Sequence, residues 1–151
     1  MEKMHKDKLN QFYHRRVVVD SSVLVKGFFT EQESELTDEL FVMSKSRKTT
    51  ILAPTLIIYE FLNVLTRKIH DKGVISKILL KLKKLNISIL PLEKTAVLKA
   101  IELCGIDPKI SFYDAAYHAM AKDMNAIFLT ADEKYYNSAK KRGNIKLLSQ
   151  I

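Results

Sequence analysis

The feature that most constrains this chain is a run of three valines that ends on an acid, the stretch 17–22 with the sequence Val-Val-Val-Asp-Ser-Ser. Three consecutive β-branched residues predict a strand that is apolar on both faces, which is typical of a parallel sheet covered by helices. Ligands of such sheets bind beyond the carboxyl ends of the strands. Asp20 therefore lies where a metal ion or a phosphoryl group would be handled, although an Asp at this position would also cap a following helix.

Short apolar runs and longer segments with helical spacing alternate along the rest of the chain. Thr30 and Glu33 have the spacing of a capping box and start one predicted helix, and Gly73 is predicted to end another. Strands are predicted over 17–19, 50–53, 87–90, 126–129 and 145–148, and helices over 30–48, 54–72, 74–86, 93–104, 111–124 and 132–142. Strands that alternate with helices, without hairpin turns, predict a three-layer α/β/α sandwich with a parallel sheet and right-handed connections.

One domain accounts for the chain. Its 151 residues fit a single domain, and 47% hydrophobic residues with only 4 Gly and 3 Pro indicate a globular, helix-rich protein. Residues 1–15 are polar and basic and are predicted to form a flexible arm or a short helix. The domain itself is therefore predicted to span residues 16–151.

Simple features of the sequence exclude several classes of protein. The single cysteine, Cys104, excludes an intramolecular disulfide and a cysteine-based zinc cluster. No apolar run approaches the roughly 18–20 residues of a membrane span, and residues 1–16 lack the apolar core of a secretory signal. We therefore expect a cytoplasmic protein without membrane association. Its net charge of +8 favours a polyanionic partner.

A second acid, Glu60, lies inside the most apolar of the predicted helices. A carboxylate there is costly unless it is paired, exposed or bound to a metal ion. Asn63 and Arg67 follow it at helical spacing, so the three residues would equally form one solvated stripe. The helix is also more apolar than one core needs, which favours a homodimer or a protein partner on this surface.

Two more acids lie near predicted helix starts. Asp114 follows Ser111 by three residues, so a capping box alone would explain it. Asp132 follows the fourth predicted strand, and Thr130 with Glu133 makes another capping box. Glu133 is then the predicted structural acid, which leaves Asp132 free to point into the cleft.

Together these acids favour a metal site. Asp20 and Asp132 both follow strands at one edge of the predicted sheet, and crowded carboxylates repel one another unless divalent cations neutralise them. Oxygen ligands without Cys or His favour a hard ion, Mg²⁺ or Mn²⁺. The chemistry this favours is metal-assisted hydrolysis of a phosphodiester. An acidic site in a basic protein suits a nuclease, because Lys and Arg hold the nucleic acid backbone.

At this point the chain resembles the PIN-domain ribonucleases. The motifs that carry the resemblance are Val-Val-Val-Asp-Ser-Ser at 17–22, Tyr-Glu-Phe-Leu-Asn-Val-Leu at 59–65, Ser-Phe-Tyr-Asp-Ala-Ala-Tyr-His-Ala-Met-Ala at 111–121 and Phe-Leu-Thr-Ala-Asp at 128–132. The resemblance extends from about Arg16 to the C-terminus. It implies a PIN fold with a five-stranded parallel sheet and Mg²⁺- or Mn²⁺-dependent cleavage of single-stranded RNA.

The resemblance also implies roles for particular residues. The acidic quartet that holds the metal and performs catalysis would be Asp20, Glu60, Asp114 and Asp132. Ser22 and Thr130 match small hydroxyl residues that orient carboxylates or metal-bound water, and Asn63, one turn after Glu60, is a further candidate for that task. Many compact, single-domain members of the family resemble this chain in length and are VapC-type toxins, which are paired with an antitoxin protein and are usually dimeric.

Other interpretations compete with the nuclease. A haloacid-dehalogenase-type phosphatase or a receiver domain also places an Asp after its first strand, but the phosphatase needs a second Asp where Ser22 stands. A PIN-like module that binds RNA or protein without cutting it is the non-catalytic alternative. His118 is interpreted as a helix residue hydrogen-bonded to a neighbour, not as a metal ligand.

Overall fold

The computed structural model describes residues 8–29 and 32–151. Its centre is one five-stranded sheet, in which every neighbouring pair of strands is parallel. The strands are β1 Arg16–Val19, β2 Thr50–Pro54, β3 Ile87–Leu90, β4 Ile127–Thr130 and β5 Ile145–Leu147, and they lie in the order β3-β2-β1-β4-β5. The predicted α/β/α class with a five-stranded parallel sheet is confirmed.

Seven α-helices occur within the described ranges. They are α1 Ser21–Phe28, α2 Ser34–Lys45, α3 Leu56–Lys68, α4 Lys72–Lys84, α5 Lys94–Cys104, α6 Phe112–Asp123 and α7 Glu133–Ala139. Short 3₁₀ turns cover Asn10–Phe12, Lys140–Arg142 and Leu148–Gln150. α1, α3 and α7 directly follow the ends of β1, β2 and β4, so these three helices begin at the carboxyl edge of the sheet.

β1 is the middle strand. Val17 is paired with Ile51 of β2 on one side and with Ile127 of β4 on the other. All three valines of β1 are fully buried, as expected for a strand covered on both faces. This burial places Asp20, the next residue, at the centre of the carboxyl edge.

The end predicted for the helix over 54–72 is wrong. α3 stops at Lys68, and Asp71 then starts α4 by accepting hydrogen bonds from the backbone N–H of Gly73 at 2.7 Å and of Val74 at 3.1 Å. Gly73 therefore lies in the first turn of the next helix instead of ending the previous one. An Asp that caps a helix explains the boundary better than the glycine does.

The first part of the helix predicted over 30–48 also needs correction. Thr30 lies outside the described residues, so the capping box assigned to it is not seen. α2 begins at Ser34, after Glu33 in a left-handed conformation with φ of 65°. Its core-facing side is as predicted, since Leu36, Leu40 and Phe41 are buried.

The basic segment before β1 contributes to the core. Leu9 and Phe12 are buried and belong to the same apolar cluster as the valines of β1. The division into an arm over 1–15 and a domain over 16–151 stays a prediction. Leu9 and Phe12, in the described part of that arm, pack against the domain. Within the described ranges, no helix has the length and apolar character that a membrane span requires.

Candidate active site

Asp20 is held by three hydrogen bonds at the end of β1. Its Oδ1 accepts from the backbone N–H of Val23 at 3.1 Å and from the hydroxyl of Ser22, and its Oδ2 accepts from Oγ1 of Thr130 at 2.5 Å. The bond from Val23 makes Asp20 the N-cap of α1. The two interpretations of this acid are therefore compatible, because one carboxylate caps the helix and faces the sheet edge.

Burial raises the pKa of Asp20 to about 6 from the usual 3.8. The hydrogen bonds from Ser22, Thr130 and Val23 oppose this shift, and the negative charge of Glu60 adds to it. A carboxylate in such a place is destabilised when it is ionised. A bound cation would remove that penalty.

Glu60 faces Asp20 from α3, which follows the neighbouring strand β2. Its Oε2 accepts hydrogen bonds from Ser21 at 3.2 Å and from the phenol of Tyr117 at 2.5 Å. Glu60 is half-buried, whereas Asn63 and Arg67 are exposed. The three residues are therefore not one solvated stripe. Among the described residues, no hydrogen bond joins the side chain of Asn63 to any of the four acids.

Tyr117 is a residue of this site that the sequence interpretation missed. Its side chain is almost fully buried, and burial raises the pKa of the phenol well above 10, with further contributions from Glu60, Asp20 and Asp114. The neutral phenol is therefore a permanent hydrogen-bond donor to Glu60. The available signal was its position on α6, one turn after Asp114, which puts both side chains on one face of the helix.

Asp114 lies in the first turn of α6. The opposite end of α6 lies at the start of β1, where the backbone oxygen of Met124 accepts a hydrogen bond from Arg16, so the first turn lies toward the carboxyl edge of the sheet. Ser111 is the N-cap, and its Oγ accepts from the backbone N–H of Asp114 at 3.1 Å while donating to Oδ2 of Asp114 at 2.7 Å. The capping interaction expected from the spacing is present. Asp114 also raises the pKa of Tyr117, so its charge reaches the group that binds Glu60.

The environment predicted for Asp132 is wrong. Asp132, not Thr130, caps α7, and its Oδ1 accepts from the backbone N–H of Tyr135 at 3.0 Å. Thr130 is the last residue of β4, where its hydroxyl donates to Asp20 and accepts from the backbone N–H of Asp132 at 3.0 Å. Glu133 makes no capping box, because the hydroxyl of Thr130 is committed to these two groups.

Two hydroxyls therefore join the ends of β1 and β4. Besides the Thr130 bond, Ser22 donates to Asp20 and accepts from the backbone N–H of Ala131 at 3.0 Å. These contacts fix the orientation of the Asp20 carboxylate, which is the role that the resemblance implied for Ser22 and Thr130.

The chemical type of the donors at this site suits a hard divalent cation. Among the described residues, Oε1 of Glu60, Oδ1 of Asp114 and Oδ2 of Asp132 accept no hydrogen bond from the protein. All the available donors are oxygens, which suits Mg²⁺ or Mn²⁺. Within the described ranges, however, no group of three or more His, Cys, Asp or Glu side chains is placed to hold an ion.

His118 lies outside this arrangement. It is fully buried, with Nε2 2.6 Å from the backbone oxygen of Gly143 and Nδ1 3.0 Å from the hydroxyl of Tyr135. Since a carbonyl only accepts, Nε2 carries the proton and Nδ1 accepts from Tyr135. Burial lowers the pKa of His118, so it is a neutral structural residue, in agreement with its sequence interpretation.

The chain belongs to the PIN-domain family. The family model for the PIN domain matches residues 17–141. Proteins of this family are nucleases that generally depend on divalent metal ions. The matched residues include all four acids of the proposed quartet. No curated protein sequence matches the chain significantly.

Solved structures share this fold at low sequence identity. VapBC2 from Rickettsia felis, solved with a DNA fragment from its promoter, has a TM-score of 0.66 and 18% identity, covering 87% of this chain and 96% of its own. A toxin–antitoxin complex from Klebsiella pneumoniae has a TM-score of 0.63 and 13% identity, covering 87% and 97%. VapC20 from Mycobacterium tuberculosis, a toxin that cleaves the sarcin–ricin loop, has a TM-score of 0.60 and 14% identity, covering 81% and 94%.

Proposed function

We propose that this protein is a divalent-metal-dependent endoribonuclease that hydrolyses single-stranded RNA. The observation that carries the proposal is the pairing of buried Asp20 with half-buried Glu60 at the centre of the carboxyl edge of a PIN-family sheet. Asp114 and Asp132 lie at helix starts toward the same edge, and one oxygen of each accepts no hydrogen bond from the described part of the chain. The net charge of +8 supports a polyanionic substrate.

The four acids, Asp20, Glu60, Asp114 and Asp132, are the residues that would hold Mg²⁺ or Mn²⁺. Such an ion lowers the pKa of a water molecule and stabilises negative charge that develops on the phosphodiester. The chain's own hydroxyls prepare the site: Ser22 and Thr130 orient Asp20, while Ser21 and Tyr117 orient Glu60. Because Tyr117 is neutral and buried, it donates to Glu60 throughout the physiological pH range.

The proposal includes a role as the toxin of a toxin–antitoxin pair in the cytoplasm, where RNA and antitoxin would both be met. It is supported by two structural neighbours, the toxin–antitoxin complex from K. pneumoniae and the toxin from M. tuberculosis. This chain covers 97% and 94% of those two chains, so its length also suits the comparison.

An exposed apolar surface supports a protein partner. Tyr59 on α3 is 75% exposed and Leu80 on α4 is 59% exposed. A groove of about 670 Å³ between α3, α4 and β3 is lined mainly by leucine and isoleucine side chains. Surfaces of this kind mark protein interfaces. We therefore include an antitoxin and a second copy of this chain among the proposed partners. Light scattering of the purified chain measures its molar mass and so tests for the homodimer.

Asp114→Asn is the variant that tests the nuclease proposal. We expect cleavage of a labelled single-stranded RNA by the wild-type chain with Mg²⁺ or Mn²⁺, none with EDTA, and a loss of about a hundredfold or more in the variant. The matched control is Asp123→Asn, which removes a carboxylate from the other end of α6, where it pairs with Lys99. Cleavage that is unchanged by Asp114→Asn would show that the quartet is not the site.

Tyr117→Phe is expected to lower kcat about tenfold with little change in KM, because one hydrogen bond to Glu60 is lost. The matched control is Tyr135→Phe, which deletes another buried tyrosine hydroxyl, the one bonded to His118. That control should leave kcat unchanged. Equal losses in both variants would mean that the effect reflects packing and not the position of Glu60.

A non-catalytic RNA-binding module is the second candidate. It is favoured by the capping bonds of Asp20, Asp114 and Asp132, each of which gives the acid a structural task. Such a module would bind RNA equally well with and without metal and would cut none. The phosphatase alternative has no support, since Ser22 stands in place of its second Asp and the chain is a PIN-family member.

A further inference from the structure

A second polar pocket lies at the opposite edge of the sheet from Asp20. It has a volume of about 540 Å³ and is formed where β1, β4 and β5 begin. The residues that matter for its chemistry are Tyr13, His14, Arg15, Arg16, Asn125 and Asn144. A pocket of this size is within the range of small-molecule sites, and we refer to it as the amino-edge pocket.

The amino-edge pocket is positively charged. Arg15 and Arg16 line it, and no acidic residue does. The acid nearest along the chain to Asn125 is Asp123, which is engaged by Lys99 at 2.5 Å and by Thr95 at 3.0 Å. No ion pair joins either arginine to an acid in the part of the chain that the structure describes. Among the residues that the structure describes, no acid therefore offsets the positive charge of this pocket, which suits an anion.

Arg16 is held in place for such a ligand. Its Nη1 donates to the backbone oxygen of Met124 at 3.0 Å, which fixes the guanidinium and leaves its other N–H groups available. A fixed, planar guanidinium matches the geometry of a phosphate group. Arg15 is exposed beside it and adds a second guanidinium.

Tyr13 adds an aromatic surface next to these cations. Its side chain is 39% exposed, and the ammonium of Lys48 lies 5.6 Å from the centre of its ring. His14, Asn125 and Asn144, which line the pocket, all have positive φ angles of 50–55°. Cations beside an aromatic ring are the combination that binds single-stranded nucleic acid through phosphate and base.

We propose that the amino-edge pocket binds a nucleotide, with its phosphate on Arg15 and Arg16 and its base against Tyr13. The nucleotide belongs either to an RNA strand or to a free nucleoside monophosphate. If the nucleotide is part of an RNA strand, an alternative that rests on the proposed function, the pocket is a second RNA contact, remote from the four acids. β1 separates the two sites by about 13 Å, since a strand rises about 3.3 Å per residue.

The test measures binding without cleavage, in EDTA, by fluorescence anisotropy of a labelled single-stranded RNA. The variant is Arg15→Gln/Arg16→Gln, and the matched control is Lys77→Gln/Lys81→Gln, which removes two cations from the exposed side of α4. We expect the pocket variant to bind RNA about tenfold or more weaker than the control variant. The magnitude of the slope of log K against log salt should fall by about 0.7, the value for one lost phosphate contact on a single strand.

A second variant protects the test against misfolding. His14→Gln/Arg15→Gln keeps the bond between Arg16 and Met124 and should show a smaller loss in the same direction. Adenosine monophosphate, titrated against each protein by calorimetry, separates the two sources of nucleotide. Loss of RNA binding alone identifies an RNA strand, and loss of monophosphate binding identifies a free nucleotide as a ligand. Equal behaviour of pocket and control variants with both probes would overturn the proposal, whatever the outcome of the cleavage assays.

Discussion

Asp20→Asn is expected to reduce cleavage of single-stranded RNA by at least about a thousandfold. Asp20 is the most buried of the four acids and the one on the central strand. Neutralising it removes the charge that would bind the metal ion, while the two hydroxyls that orient it stay in place. The measurement is the initial rate of cleavage with Mg²⁺ or Mn²⁺ at neutral pH.

The Asn variant is expected to keep the fold. The Asn side-chain oxygen can accept the bonds that Ser22 and Val23 now donate, and its amide can donate to Oγ1 of Thr130. Asn also serves as an N-cap, so α1 keeps its start. A suitable control is Glu102→Gln, which removes an exposed acid from α5. A variant that is folded, by circular dichroism, and still cleaves RNA within threefold of wild type would contradict the assignment.

The second large effect that we expect is a pH-dependent change in the free energy of unfolding, caused by the burial of Asp20. In the metal-free protein, Asp20 has a pKa of about 6 when folded and an ordinary value of 3.8 when unfolded. Below both values the side chain is neutral in both states and carries no penalty. As the pH rises through this window the unfolded state loses its proton first, so the contribution of Asp20 to stability falls by about 3 kcal/mol and stays low above the folded pKa.

Comparison with Asp20→Asn isolates this effect from other titrating groups. The free energy of unfolding of each protein is measured with urea in EDTA. The value for wild type minus the value for the variant should decrease between about pH 4 and pH 6.5. The difference should change by about 3 kcal/mol in favour of the Asn variant over that range and should stay constant above it. A difference that is constant with pH would mean that the carboxylate is not destabilised by burial.

The parts of the fold that depend on strong local patterns were predictable from the sequence. Three adjacent valines need burial on both sides, and that requirement alone places β1 in the middle of a parallel sheet. The same argument places Asp20 correctly, because a residue that follows a central strand has only the carboxyl edge to occupy. The capping pair of Ser111 and Asp114 is equally local and was also predictable.

The parts of the fold and of the site that depend on contacts between distant segments were not predictable from the sequence. The hydrogen bond from Tyr117 to Glu60 joins residues 57 positions apart, and no local pattern marks it. Thr130 has the spacing of a helix cap, yet its hydroxyl bonds to Asp20, 110 positions away, so Asp132 caps α7 instead. The amino-edge pocket has the same origin, since its residues come from three segments that meet only in the folded sheet.

The central claim is that four acids, far apart in the sequence, hold one divalent site. A crystal structure of the wild-type chain grown with Mn²⁺, with anomalous diffraction data, tests it most directly. We predict an anomalous peak at the carboxyl edge of the sheet, bound by Asp20 and at least two of Glu60, Asp114 and Asp132. A fully occupied Mn²⁺ site elsewhere on the protein, with no peak beside Asp20, would contradict the account.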